Sequence, residues 1–193
     1  MPQTFRAIPG EKANAEYREL EALVGPALSS WMGVEIQTQQ SFSIALGADG
    51  LACRAVFKAA VNANARLAMA NEAITYALKE LGEECDLLPR WNKLYARAKK
   101  LAKRRNAIAH GRAAVVMGQP NDEGVSHGLG ARISDPLDFS STPPDPKKQL
   151  VEGISVDQLI DLANRFHRLA HDIFTHGQEM GAALRKLRES RGQ

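Results

Sequence analysis

Between Leu159 and Ile173 the large apolar residues fall at Leu159, Leu162, Phe166, Leu169 and Ile173. Steps of three and four put all of them on one side of an α-helix, with Ala163, Ala170 and Phe174 widening the stripe. A strand would scatter the same set over both of its faces, so only a helix can bury it as one surface. The spacing recurs upstream. Leu28, Met32, Phe42 and Leu46, with Glu35 and Gln39 among them, form a partly polar stripe after Pro26. Val56, Ala60, Leu67, Ile74, Ala77 and Leu81 run through an Ala-rich stretch without Pro or internal Gly. Trp91, Leu94, Tyr95, Ala98, Leu101, Ala102 and Ile108 follow Pro89. Each stripe needs a neighbour to cover it, which predicts an all-α bundle of four to five helices.

Breakers and caps divide the chain further. A first helical pattern over Glu11–Val24 meets Gly25-Pro26, which is expected to interrupt it, with Pro26 opening the next helix. Gly47-Ala48-Asp49-Gly50 reads as a turn with Asp49 as an N-cap. The Leu51–Leu81 stretch reads as one long helix stopped by Gly82, with a kink or break at Asn62 and Asn64. The next helix spans Arg90 to about Ala109. Arg112–Gln119, with Val115-Val116, and Ala131–Ser134, with Ile133, pair as a small β-hairpin across QPNDEGVSHGLG, or else form a long loop. Asp135–Gln149 reads as an exposed connection. The last helix is capped by Ser155 or by Val156-Asp157, with Ile154 as a hydrophobic staple, and is expected to end near Thr175. The expectation is one domain over residues 1–193. Its core spans about 26–176, residues 112–150 are an insertion, and residues 177–193 are a basic tail that frays.

A chain of 193 residues can bury roughly 70% of its unfolded surface and needs no covalent staples. Cys53 and Cys85 lack metal or redox spacing and form either a disulfide or two buried thiols, the second being expected in a cytosolic protein. The beginning, MPQTFRAIPGEK, lacks the apolar run of a signal peptide, and no apolar run reaches membrane-spanning length. A cytoplasmic protein with no membrane partner is expected.

The net charge of +3 conceals a strong asymmetry. From Leu87 to Asn121 there is no acidic residue and there are nine cations, while the remainder sums to −6. Such a segment attracts phosphates and polyanions. Alternatively, its charge is balanced by acids elsewhere in the fold. Lys99, Lys100, Lys103, Arg104 and Arg112 are the candidate phosphate-binding residues.

The window ends in KRRNAIAHGR, Lys103–Arg112. On a helix Asn106 and His110 share one face, with Lys103 one turn earlier on the same side. Arg105 lies about 140° around the axis from His110, and Arg104 is also off that face, so helix geometry leaves open which arginine works with His110. The chemistry fits RNA cleavage. Imidazole can take the proton of a ribose 2′-hydroxyl. A guanidinium fork can hold the charge that builds on the phosphate, and no metal or other cofactor is required. A purely structural reading also accounts for the residues. A His in the last helical turn complements the macrodipole, Gly111 serves as a left-handed cap, and Arg104 and Arg105 are solvated charges or partners for acids on another helix.

RNAIAHG, Arg105–Gly111, resembles the signature of HEPN (higher eukaryotes and prokaryotes nucleotide-binding) domains, in which Arg and a following polar residue precede His by a short spacer. Here four residues separate Arg105 from His110, and Asn106 holds the polar position. Arg104 also meets the spacing, but Arg105 would then hold the polar position. The layout is similar as well: VFKAAVNANARLAMANEAITYALKEL precedes WNKLYARAKKLAKRRNAIAHG, and an amphipathic helix follows. The likeness covers about Leu51 to Thr175 in layout and seven residues in motif. It implies a homodimeric, metal-independent endoribonuclease whose two motifs meet across the interface, acting as a toxin or a phage-defence effector. It assigns Arg105 to the scissile phosphate, His110 to acid–base chemistry and Asn106 to their support. It further implies RNA as partner, and an antitoxin or other protein as a second one. The rival reading is a non-catalytic helical dimer that binds a nucleotide, RNA or a protein through the same basic face. The 112–150 insertion is not part of the family's minimal bundle.

Other groupings are weaker. His167 and His171 stand at i, i+4, a spacing that can hold zinc, but a third ligand is not evident, so no metal is expected. Ser126-His127 lacks the context of a nucleophile elbow. Trp31 and Trp91 read as core or interface anchors.

Overall fold

The computed structural model describes residues 6–82, 85–134 and 146–192. Among them it contains a short strand β1 (Arg6–Ile8) and helices α1 (Glu11–Leu46), α2 (Gly50–Ala59), α3 (Ala63–Lys79) and α4 (Leu87–His110). Strands β2 (Arg112–Met117) and β3 (Val125–Ser134) follow, then α5 (Pro146–Glu152) and α6 (Val156–Ser190). The fold is a mostly helical bundle with a small β insertion. Two compact units divide it: residues 1–29 with 104–163, and residues 30–103 with 164–193.

In the first unit β3 is the central strand, parallel to β1 and antiparallel to β2. The hairpin turns on Asn121, whose Oδ1 accepts from the backbone N–H groups of Glu123 and Val125 at 3.1 and 2.9 Å. Strand β3 takes up much of what the sequence marks as loop, because Gly128 and Gly130 are used for close approach. A Cβ on Gly128 would sit 2.0 Å from the Pro9 carbonyl oxygen, and one on Gly130 3.0 Å from Glu16 Oε2. That Glu16 oxygen accepts from the Ala131 N–H at 3.0 Å, fastening α1 to the sheet. Strand β1, unforeseen in the sequence, is three residues long and pairs Arg6 with Val125. Ala13, Leu20, Val116, Ala131, Ile133 and Leu159 are among the buried residues of the first unit. Ile133 and Ile154 exchange backbone hydrogen bonds at 3.0 Å, which brings the chain from the sheet to the start of α6. There Ser155 and Gln158 form a reciprocal capping box, at 3.0 and 3.3 Å, which settles the cap on Ser155, one of the two positions the sequence offers. Of the expected exposed connection, residues 135–145 lie outside the described residues, and Pro146 opens α5 instead.

The second unit is helical throughout. Trp31 of α1 meets Phe166 of α6 edge to face at 5.3 Å, and Phe42 of α1 meets Phe57 of α2 at 5.9 Å. Trp91 of α4 donates its indole N–H to Asn71 Oδ1 of α3 at 3.1 Å, so its one polar atom is satisfied in the core. Both tryptophans are buried, in keeping with their reading as anchors. Cys53 and Cys85 are free thiols.

Two expectations are corrected. Helix α1 runs through Gly25-Pro26 without interruption. An interior proline costs about 3 kcal/mol, but Pro26 is exposed while Leu20, Ala27, Trp31 and Val34 are buried on either side of it, and that burial holds the helix together. The Leu51–Leu81 segment, by contrast, breaks where the sequence offered a kink or break, with Ala60 extended (ψ 127°) and Asn62 as the N-cap of α3, accepting from the Ala65 N–H at 2.9 Å. The expected frayed tail is helical to Ser190. Met180 and Leu184 continue the buried stripe, and Gly177 lies so close to α1 that a Cβ would be 2.7 Å from Ser41 Oγ.

Candidate functional site

The last two turns of α4 belong to the first unit and carry the motif. The buried residues of this helix step through Trp91, Ala98, Leu101 and Ile108, and Arg105 falls on the same row. Its guanidinium is accordingly half-buried, with Nη1 donating to Asn106 Oδ1 at 3.2 Å. Arg105 Nε is buried without a hydrogen-bond partner. An unpaired buried donor costs roughly 1–3 kcal/mol. The row Leu94, Ala98, Leu101, Arg105, Ile108 is already readable in the sequence.

His110 is the final residue of α4 and is exposed. Its imidazole makes no hydrogen bond or ion pair with another described residue. Arg105 and Asn106 are therefore brought into contact, while His110 is presented to solvent at the helix end. Gly111 is not the left-handed cap expected, because its φ lies outside the positive range. It is a junction between helix and strand. A Cβ there would stand 2.3 Å from the Ala107 carbonyl oxygen and 2.5 Å from Ile133 Cγ2. The absent side chain lets β2 begin two residues after the imidazole.

The other predicted cations separate by position. Arg104 is exposed, one residue before Arg105. Arg112 opens β2, opposite Ser134, and with Tyr17, Ala113 and Ala114 lines a hollow of about 240 Å³. Tyr17 donates to Glu21 at 2.6 Å, and that hydrogen bond raises its pKa while nearby Arg112 opposes the shift. In the second unit, Lys100 and Lys103 are exposed and the Lys99 ammonium stands 5.5 Å from the centre of the Tyr95 ring.

Part of the basic window serves structure. Arg90 bonds Glu179 at 2.5 Å and Arg97 bonds Asp172 at 2.6 Å, pairing α4 with acids of α6. These pairs balance part of the window's charge with acids elsewhere in the fold, and they involve neither Arg104 nor Arg105. His167 and His171 sit on exposed turns of α6, and His176 does not join them. His176 is buried, and its Nε2 donates to the Leu87 carbonyl at 2.9 Å. Among the described residues no three His, Cys, Asp or Glu side chains gather where they could hold a metal ion. Ser126 and His127 lie in β3, paired with Ala7 and Ile8, not on a strand-to-helix turn.

Fold and site thus define a helical protein with a small three-stranded sheet and an Arg-Asn-x₃-His segment closing a basic helix. No helix among the described residues is long and apolar enough to cross a membrane. No family model matches the chain, and neither the curated proteins nor the solved structures include a significant match.

Proposed function

We propose that the protein is a metal-independent endoribonuclease of HEPN type, acting in the cytoplasm as a homodimer. The observation that carries this reading is the Arg105–Asn106 contact at 3.2 Å: a half-buried guanidinium held by an amide, one helical turn from an exposed imidazole. Arg105 fixes the scissile phosphate and stabilises the charge of the transition state. His110 takes the 2′-hydroxyl proton, and the 2′-oxygen attacks the adjacent phosphorus. The P–O5′ bond breaks as the leaving oxygen is protonated, which yields a 2′,3′-cyclic phosphate and a 5′-hydroxyl. The second proton transfer falls to the motif of the other copy, which is why one chain holds only half a site. Arg104 and Arg112 flank the reacting phosphate. Lys99, Lys100 and Lys103, earlier on the same helix, attract the RNA, so binding weakens as salt rises. A nuclease of this kind suits a toxin restrained by an antitoxin, or an effector of phage defence.

The test is incubation of the wild type, Arg105→Ala and His110→Ala with RNA in EDTA. Cleavage by the wild type alone, with cyclic phosphate ends and all three proteins folded and dimeric, supports the nuclease. Binding without cleavage by the wild type replaces it with the non-catalytic binding module. No affinity for RNA in any of the three leaves the motif as a helix terminus only.

A further inference from the structure

The second unit leaves one apolar helix face in solvent. Helix α2 turns Cys53 and Phe57 into the core, where Phe57 meets Phe42. Leu51 and Ala55 each lie two residues from Cys53, about 160° away around the helix axis. Leu51 is 77% exposed, Val56 54%, and Val61, just past the end of α2, 93%. Ala52 and Ala59 are exposed as well and widen the face. A surface helix ordinarily buries one stripe and makes the rest polar. In α2 only Arg54 and Lys58 are charged, and the other eight residues are Gly, Ala, Cys, Leu, Val and Phe. An exposed apolar surface rimmed by charge marks a contact site.

The charge at its rim selects the partner. Arg54 and Lys58 are exposed, and neither bonds to or pairs with another described residue. Asp49 is the only acid from Ile36 to Asn71, and its Oδ1 accepts from the Leu51 and Ala52 N–H groups at 2.9 and 3.0 Å. The other neighbours do not reverse the sign. Arg66 of α3 is paired with Glu35 at 3.2 Å, Glu72 and Lys79 of α3 cancel in sum, and Glu80 is held by Arg191 at 3.0 Å. At the end of α6, Arg185 and Arg188 line a hollow with Gly47 and Ala48, just ahead of α2, and Glu189 follows them. The balance around the face stays positive. That sign tells against a second copy of the same face, which would set Arg54 and Lys58 against their like. A bilayer gains little from Ala52, Ala55 and Ala59, whereas small side chains let another helix approach closely.

We propose that the outer face of α2 docks an acidic amphipathic helix of a partner protein. The partner's apolar stripe lies on Leu51 and Val56, and its carboxylates meet Arg54 and Lys58, which stand one turn apart along one edge. The proposal does not depend on the nuclease reading. A phage-displayed library of helical peptides is selected against the full chain and counter-selected against Leu51→Ser. The recovered peptides are expected to pair an apolar stripe with an excess of Asp and Glu. Measured by fluorescence anisotropy, Leu51→Ser and, separately, R54E/K58E are expected to weaken them about tenfold or more, and added salt to weaken binding to the parent chain. Peptides without an acidic excess, or none whose binding depends on Leu51, overturn the proposal. So does binding of vesicles of phosphatidylglycerol and phosphatidylcholine in place of peptides, which makes the face a membrane surface. Self-association lost in Leu51→Ser, read by sedimentation, also overturns it and makes the face an interface between copies. The substituted residues are all exposed, and circular dichroism checks folding. Should one variant fail to fold, the other decides: unchanged binding overturns the assignment. Absence of RNA cleavage by the parent chain with peptides still bound would count against the nuclease alone.

Discussion

Arg105 donates through Nη1 to Oδ1 of Asn106, its neighbour in sequence, at 3.2 Å. Adjacent residues on a helix diverge by about 100°, so the contact requires both side chains to turn toward each other. The pair holds the guanidinium half in the apolar row of α4 and half beside the polar face that carries His110.

If that guanidinium grips phosphate, its shape matters as well as its charge. Arg105→Lys keeps the charge and loses the fork, so it is expected to lower RNA cleavage about 10²-fold or more. His110→Ala is expected to cost about 10²–10⁴-fold. Initial rates in EDTA measure both, and circular dichroism confirms the helices. Equal activity of Arg105→Lys and wild type would reduce Arg105 to a simple charge.

His176 makes stability depend on pH. Burial lowers its pKa below the usual 6.5, and nearby Arg90 adds to this, while the hydrogen bond to the Leu87 carbonyl opposes it. The unfolded chain therefore binds the proton more readily, and stability from this residue is complete above pH 6.5 and lost as pH falls through the lower folded value. Glu179, lowered from 4.5 by its bond to Arg90, contributes only in the more acid range. Urea midpoints are expected to fall between about pH 7 and pH 5, and His176→Gln to flatten that slope. An identical slope in the variant would remove His176 from the account.

Two glycines give opposite results when changed to alanine. Gly111→Ala would press a methyl against Ala107 and Ile133 and is expected to destabilise by about 1–3 kcal/mol. Gly25→Ala lies inside α1 with nothing within 4 Å and is expected to stabilise by about 0.5–1 kcal/mol. Chemical denaturation of both variants checks the contrast.

Asn62 separates α2 from α3 through one side-chain bond to the Ala65 N–H. Asn62→Ala is expected to cost about 1 kcal/mol, and Asn62→Asp to cost much less, since it keeps the accepting oxygen. Equal losses in the two would deny the cap its role.

The helices other than α5, the cap at Asp49, a cap at or next to Ser155, and the hairpin's existence were legible in the chain, because each depends on neighbours a few residues apart. Helical spacing also put Asn106 and His110 on one face, while the choice of Arg105 as their companion came from the resemblance and not from helix geometry. The rest was decided at long range. Pro26 sits within one helix because the residues around it are buried; the glycines of β3 form a strand because Pro9 and Glu16 come up against them. Residues beyond Thr175 stay helical because Met180 and Leu184 find a core. Gly111 needs its missing side chain, and not a left-handed turn, because Ile133 is there. The pairs of Arg90 with Glu179 and of Arg97 with Asp172 likewise exist only once α4 and α6 are side by side. Periodicity is a property of adjacent turns, whereas close approach, burial and summed charge arise when distant segments meet.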